Sequence, residues 1–215
     1  MELSGSAQLD ERSLPPGVSM EGVVKMADHT ALPERTEIIL QSTQANEVIA
    51  SQAVGAGETF RFQDGSLEPG TYKVGVYGAN EAVVVVVSAS GAAVDGDKVT
   101  IGAERDVKLA VTIAQGTGHV SGVAMKNAEP LEGVMLLLVP LDFGGPVGLY
   151  RRDESDSDGT FEFEGVVPGN YLAVGIAEGW NLEWGKAEVL AKYLARGTKM
   201  LVGRDGVNGV NIEVQ

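Results

Sequence analysis

The sequence predicts an all-β protein made of two tandem β-sandwiches, with one short helix in the second sandwich. Three observations lead to this prediction. Glycine accounts for 29 of 215 residues, about double its average share, and a chain that is so rich in glycine needs many tight turns. Short apolar stretches alternate with polar residues, as in half-buried strands. Several turn and strand motifs also occur twice, at nearly constant spacing.

The repeated motifs divide the chain into two copies of one domain. Pro-Gly-Thr-Tyr at residues 69–72 returns as Pro-Gly-Asn-Tyr at residues 168–171, and such repeats decide the architecture. We predict a flexible lead-in over residues 1–17, a first β-sandwich domain over residues 18–116 and a second over residues 117–215. The linker between the two domains is so short that they should pack end to end.

Hydrophobic periodicity places the elements within these domains. Residues 186–195 carry apolar side chains at helical spacing before a stop at Gly197, which predicts the one short amphipathic helix. In the first domain, Val83–Val87 is a continuous β-branched run that must be covered on both faces. The second domain is predicted to contain seven strands, a number that suits a sandwich. They span residues 119–125, 134–140, 149–153, 160–164, 170–177, 198–203 and 209–214.

The repeated Pro-Gly-x-Tyr motif has a physical explanation as a turn. We predict that Pro168 fixes φ at the first turn position and that Gly169 supplies a positive φ at the second, with Gly70 doing the same in the first domain. Tyr171 should then pack its ring inward while its hydroxyl reaches backbone near the turn. That arrangement is the tyrosine corner of β-sandwiches.

Composition excludes several classes of function. Thirty acidic residues against 16 basic ones give a net charge of −14, which repels the phosphate backbone of a nucleic acid. The chain has no cysteine, so disulfides, thiolate metal sites and cysteine nucleophiles are excluded. No apolar run approaches the roughly 20 residues of a membrane helix, and residues 1–16 do not resemble a signal peptide. We therefore expect a soluble chain without an export signal of its own.

The acidic segment Asp153–Gly159 is the strongest candidate for a metal site. Its spaced carboxylates precede a glycine, as they do at the start of a calcium-binding EF-hand loop. When Gly159 is aligned with the glycine of that loop, the position of the bidentate glutamate falls on Gly165, so the match fails. We expect an Asp-rich hairpin turn with Asp158–Gly159 at its tip, no integral metal and at most weak calcium binding.

No pattern of catalytic residues is present in the sequence. His29 and His119, the two histidines, lie outside any constellation such as Gly-x-Ser-x-Gly, and we expect both to be structural or surface residues. The glycine-rich stretches lack the strand, helix and Lys-Ser/Thr context of a phosphate-binding loop. We therefore predict no catalytic residues, no cofactor and no enzymatic activity.

Aromatic side chains are the best candidates for a ligand-binding surface. Trp180 and Trp184 lie four positions apart just before the predicted helix, and Tyr150 and Tyr193 are the further candidates. Flat aromatic rings stack on sugar rings and anchor protein partners. The alternative is that one or both tryptophans hold the helix against the sandwich through its leucines.

Five segments of the second domain form a familiar set of turn and strand motifs. They are Val120–Val123, Pro130–Val134, Leu138–Pro140, Ser157–Phe163 and Val167–Tyr171. This set resembles the carboxypeptidase regulatory-like domain, a transthyretin-type (prealbumin-like) module. The first domain resembles the later part of that family at Phe60–Phe62, Leu67–Tyr72, Gly96–Thr100 and Val107–Val111. It departs from the pattern early, because residues 32–36 lack the glycine seen at Gly133.

The resemblance implies Ig-like or prealbumin-like Greek-key sandwiches. The tandem arrangement and residues 178–194 also resemble repeat-bearing exported proteins of acidobacterial type. This implies an extracytoplasmic location within a larger polypeptide, whether periplasmic, at the cell surface or secreted. Our first hypothesis is a non-catalytic structural or interaction module with a protein or carbohydrate partner. The second is a carbohydrate-binding module that uses Trp180 and Trp184, because related sandwich folds include starch-binding domains.

Overall fold

The computed structural model describes residues 18–79, 82–102, 106–141 and 146–215, and the predicted lead-in lies outside them. Its content of 60% strand and 7% helix, with one α-helix, confirms the predicted all-β class. The first half contains strands β1 (Val18–Met26), β2 (Glu37–Ser42), β3 (Val48–Ala53), β4 (Thr59–Leu67), β5 (Gly70–Tyr77), β6 (Ala82–Ser90), β7 (Ala92–Asp95), β8 (Lys98–Ile101) and β9 (Asp106–Gln115). The second half contains β10 (Gly118–Lys126), β11 (Glu129–Pro130), β12 (Met135–Pro140), β13 (Arg151–Glu154), β14 (Thr160–Val166), β15 (Gly169–Ile176), α1 (Ala187–Leu194), β16 (Thr198–Val202) and β17 (Val207–Glu213).

The first half folds as two sheets around one core. The strand orders are β4-β1-β9-β6 and β3-β2-β5-β8-β7. Alternate residues of the facing strands point inward, so that Met20 and Val24 of β1 join Ile38 and Leu40 of β2 in a single buried cluster. This period-two burial follows directly from strand geometry.

The second half has the same two-layer design. Strand β10 lies between β14 and β17 and also pairs with β11, while the facing sheet has the order β13-β12-β15-β16. Val120, Phe163, Leu136 and Ala173 belong to the buried cluster between these sheets. Each sheet takes its described strands from one half of the chain.

Strand β12 is buried on both faces. Strand β2, which holds the equivalent place in the first half, is fully buried on one face only. All six residues of β12 are buried. Leu136 and Leu138 face the core between the sheets, whereas Met135, Leu137 and Val139 form a second cluster with Leu190 of α1 and its neighbours. The amphipathic helix predicted over residues 186–195 is confirmed as α1, and it covers the outer face of this sheet.

Each half joins its first and last strands in parallel. Strand β1 pairs with β9, and β10 pairs with β17. Gly22 of β1 lies opposite Phe60, and Gly122 of β10 lies opposite Phe161. A Cβ atom on Gly22 would lie 2.5 Å from the Phe60 ring, and one on Gly122 would collide with the carbonyl oxygen of Val210. Glycine is required at both positions because the neighbouring groups occupy the space of a side chain.

The Pro-Gly-x-Tyr turn is confirmed in one part and wrong in another. The hydroxyl of Tyr171 donates to the carbonyl oxygen of Val167 at 2.7 Å, so the predicted tyrosine corner is present. Gly70 and Gly169, however, do not have positive φ, because each already begins an extended strand. In the second half, a glycine with a left-handed backbone lies four residues upstream of Gly169, at Gly165 with φ of 62°.

Three further local predictions need correction. Leu149 is not in a strand, because residues 147–149 form a 3₁₀ turn and β13 begins only at Arg151. The valine run is not covered on both faces, because Val86 is 54% exposed. The acidic segment forms a tight turn at Gly159, but the turn connects strands of different sheets and is therefore not a hairpin.

The junction of the two halves is closely packed. The Cα of Gly116 lies so near Gly165 that an added Cβ would collide with the carbonyl oxygen of Gly165. The guanidinium of Arg204 lies 2.9 Å from the carboxylate of Asp28, which joins the second half to the first. The domain boundaries at residues 116 and 117 remain a prediction.

Candidate functional site

The structure brings the aromatic candidates together on the outer face of the sheet that contains β12. Trp180 lies in a 3₁₀ turn after β15, Trp184 lies just before α1, Tyr193 lies on α1 and Tyr150 directly precedes β13. The ring centroids of Tyr150 and Trp184 are 6.2 Å apart. Tyr150, Trp184 and Tyr193 are half-buried and pack against the cluster that contains Leu190. Burial raises the pKa of the Tyr150 hydroxyl.

These contacts divide the four aromatic residues into two roles. Trp184, Tyr150 and Tyr193 pack against the cluster between α1 and the sheet, and for Trp184 this is the packing that the structural alternative requires. Trp180 lies at the edge of the cluster and is 38% exposed. A single tryptophan therefore presents substantial ring surface to solvent in this group.

Sequence analysis missed the polar residue of this surface, Arg152. Its guanidinium carbon lies over both indole rings, 5.3 Å from the centroid of Trp180 and 5.7 Å from that of Trp184. Arg152 is exposed and pairs across the sheet with Leu137, whose side chain belongs to the cluster under α1. The available signal was strand alternation: once Leu137 faces outward, its cross-strand neighbour must face outward too.

The preceding residue, Arg151, points to the opposite face. Its guanidinium donates to the backbone carbonyl oxygens of Gly148 at 2.7 Å, Tyr150 at 2.9 Å and Glu164 at 3.1 Å, and also to that of Gly165. These bonds tie the 3₁₀ turn at residues 147–149 to the end of β14. Arg151 is a structural residue, because each of its three guanidinium nitrogens already donates to a backbone carbonyl oxygen.

Two carboxylates of the acidic turn, those of Asp153 and Asp158, accept hydrogen bonds from the protein itself. Asp158 accepts bonds from the hydroxyl of Thr160 at 2.6 Å and from its backbone N–H at 3.0 Å. These two bonds lower the pKa of Asp158. Asp153 accepts a bond of 2.8 Å from the N–H of Glu162. Within the part of the chain that is described, no three histidine or acidic side chains converge as a metal site would require.

Among the described residues, neither histidine is hydrogen-bonded to a hydroxyl that it could activate as a nucleophile. His29 is exposed with a left-handed backbone, and His119 opens β10. The Nε2 atom of His119 lies 3.0 Å from Oδ1 of Asn208, and the hydroxyl of Ser121 donates to the same oxygen at 2.8 Å. The serine hydroxyl is thus bonded to an amide and not to an imidazole base. This trio ties β10 to the end of the chain.

Two grooves lie at equivalent places beside Gly22 and Gly122. The groove of the first half has a volume of about 730 Å³, and in it Glu21 lies 3.6 Å from Lys108 and 3.8 Å from Arg61. The groove of the second half has a volume of about 450 Å³. It is lined by the acidic residues Asp153, Glu154, Asp156 and Glu162.

No family model and no curated protein matches the chain. Among solved structures it is similar to the minor pilin GBS52 of Streptococcus agalactiae, with 14% identity, 92% of this chain and 95% of that chain covered, and a TM-score of 0.40. It is also similar to the major pilin subunit BcpA of Bacillus cereus, with 11% identity, 91% and 98% coverage and a TM-score of 0.30.

A third similar structure is the TIE protein of Bacillus anthracis, with 12% identity and a TM-score of 0.32. The match covers 92% of this chain but spans only 34% of that protein. Scores this low assign neither an activity nor a partner to this chain. Among the described residues, no helix has the length and apolar character needed to cross a membrane.

Proposed function

We propose that the chain is a non-catalytic structural module of a larger, extracytoplasmic bacterial protein. In this proposal residues 18–116 and 117–215 are two carboxypeptidase regulatory-like domains. They act as a spacer that holds the other parts of the larger protein at a fixed separation. The observation that carries the proposal is that the two halves have the same strand register. Gly22 lies opposite Phe60 in the first half, as Gly122 lies opposite Phe161 in the second. Repeated sandwiches of this kind suit a spacer, because stacking them adds length without new chemistry.

The junction supports the same proposal. A spacer has to resist bending, and close backbone packing between Gly116 and Gly165 leaves little room for movement. The ion pair between Asp28 and Arg204 adds a second point of contact between the halves. Because that pair is exposed, it contributes orientation more than stability.

Expression of the predicted domains separately tests this proposal. Residues 18–116 and residues 117–215 should each unfold cooperatively by circular dichroism, and the intact chain should show no turnover in a panel of hydrolase and transferase assays. Turnover that a single acidic substitution abolishes would overturn the non-catalytic assignment. Failure of both fragments to fold would overturn the domain boundaries.

A carbohydrate-binding module is the second candidate function. One observation favours it: Trp180 is 38% exposed and lies beside the guanidinium of Arg152. An exposed indole offers a flat apolar platform on which a sugar ring can stack. A glycan array probed with the native chain and with Trp180→Ala tests it. Binding that survives the substitution would remove Trp180 from the site.

A further inference from the structure

We propose that Arg152 and Trp180 form a binding site for a carboxylated sugar, the uronic acid unit of an acidic polysaccharide. Arg152 would hold the carboxylate, and Trp180 would stack on the sugar ring. This inference rests on the second candidate function and assigns a ligand class to it.

The first argument is that the donors of Arg152 are unused. Its side chain contacts the rings of Trp180 and Trp184, and no described residue accepts a hydrogen bond from its guanidinium or forms an ion pair with it. Arg151 is the contrasting case of a structural arginine, because its guanidinium donates to the backbone carbonyl oxygens around it. Arg152 therefore presents its N–H groups to solvent, although the protein has 30 acidic residues against 16 basic ones.

The second argument is preorganisation. A guanidinium that lies over aromatic rings keeps its planar orientation, while its N–H groups at the edge of the plane remain free to donate. Binding then costs less side-chain entropy than it would for a freely moving arginine. Trp184 helps to fix this arrangement, because it is itself packed into the cluster under α1.

The third argument concerns the shape of the ligand. The planar guanidinium fork matches a carboxylate, with which it forms two parallel charge-assisted hydrogen bonds. The adjacent ring of Trp180 is 38% exposed, and an exposed indole offers a flat apolar surface to a sugar ring. A uronic acid satisfies both requirements in one unit, since it carries a carboxylate on a sugar ring.

The charge of the protein limits the affinity. The net charge of −14 opposes a polyanion at long range, and Glu154 lies on the same strand two residues from Arg152. At physiological ionic strength, charges more than about 8 Å apart are largely screened, so the distant acidic residues matter little, whereas Glu154, roughly 7 Å away along the strand, opposes binding directly. We expect binding that is weak and that depends on close contact with single sugar units.

Titration calorimetry with tetragalacturonate and with its methyl ester tests the proposal, because the ester keeps the sugar rings and removes the charged carboxylates. The free acid should bind to the intact chain, and the ester should bind roughly tenfold or more weakly. Arg152→Gln should weaken binding of the free acid by a similar factor. Lys126→Gln removes the same charge from an exposed position on the other sheet and should change little. Circular dichroism of each variant checks that the fold is retained.

The outcomes separate the two levels of the proposal. Equal binding of acid and ester, lost in Trp180→Ala, would support the carbohydrate function and overturn the role of Arg152. No binding of either compound would count against both. Equal binding of tetraglutamate and tetragalacturonate would overturn the sugar assignment, because a carboxylate alone would then suffice.

Discussion

Arg151 and Arg152 are consecutive in β13, yet their guanidinium groups have opposite surroundings. The group of Arg151 is enclosed by backbone carbonyl oxygens, at distances from 2.7 Å to 3.1 Å for Gly148, Tyr150 and Glu164. The group of Arg152 lies over two indole rings. Strand alternation separates the two roles, since successive side chains point to opposite faces of a sheet.

This contrast predicts different effects on stability. Arg151→Gln should lower the free energy of unfolding by about 2–4 kcal/mol, because it leaves partly buried carbonyl oxygens without their charged donor. Arg152→Gln should cost less than about 1 kcal/mol, the usual size of an exposed cation–π contact. Urea denaturation of both variants measures the difference. Equal losses would show that the Arg152 contacts are also structural.

The glycines near the repeated turn should also differ. Gly165→Ala should cost about 1–2 kcal/mol, because its φ of 62° places an alanine in the left-handed region. Gly169→Ala should change stability by less than about 1 kcal/mol, because its backbone is extended and an added Cβ would meet the Tyr171 ring at an ordinary 3.5 Å. Thermal unfolding of the pair measures this. A larger loss in Gly169→Ala would contradict the backbone assignment.

The tyrosine corners should be equivalent in the two halves. Tyr72 donates to the carbonyl oxygen of Glu68 at 2.8 Å, as Tyr171 does to that of Val167 at 2.7 Å. Tyr72→Phe and Tyr171→Phe should each cost about 1 kcal/mol, the net value of one hydrogen bond. Tyr77→Phe is the control, because Tyr77 is 70% exposed. Unchanged denaturant midpoints in both corner variants would show that these bonds contribute nothing.

The acidic turn should respond to pH in a defined direction. Hydrogen bonds from the side chain and backbone of Thr160 lower the pKa of Asp158 below its unfolded value of about 3.9. Its contribution to stability is therefore fully present above that unfolded value and is lost as the pH falls through the folded pKa. Carbon-13 NMR titration of the carboxylates should show the lowered pKa, and Thr160→Val should raise it. An unchanged pKa in Thr160→Val would contradict this cause.

Metal should have little effect on the fold. The carboxylates of Asp153 and Asp158 already accept hydrogen bonds from the protein, which reduces the gain from a cation. Calorimetry with and without a chelator should therefore give nearly the same melting temperature, since weak binding adds little stability. A drop of roughly ten degrees or more on chelation would reveal an integral site.

The sequence alone predicted the all-β class, the helix, the tyrosine corner and the seven longer strands of the second half, but it missed β11 (Glu129–Pro130) and began β13 too early. These depend on local patterns: period-two alternation, helical spacing before Gly197, and a Pro-Gly-x-Tyr motif that places a hydroxyl within reach of nearby backbone. The sequence assigned double burial to the valine run of β6, whereas in the structure it is β12 that is buried on both faces, with α1 as its cover.

Only the tertiary structure decided which strands share a sheet and which face each side chain takes. The turn at Gly159 resembles a hairpin locally, but its strands lie in different sheets, because the pairing partners of each strand are distant in the chain. The same is true of the candidate site. Trp184 and Arg152 are far apart in sequence, and they meet only because β13 and the segment before α1 border one hydrophobic cluster. A pattern within one strand cannot specify contacts of that kind, since they depend on packing between elements.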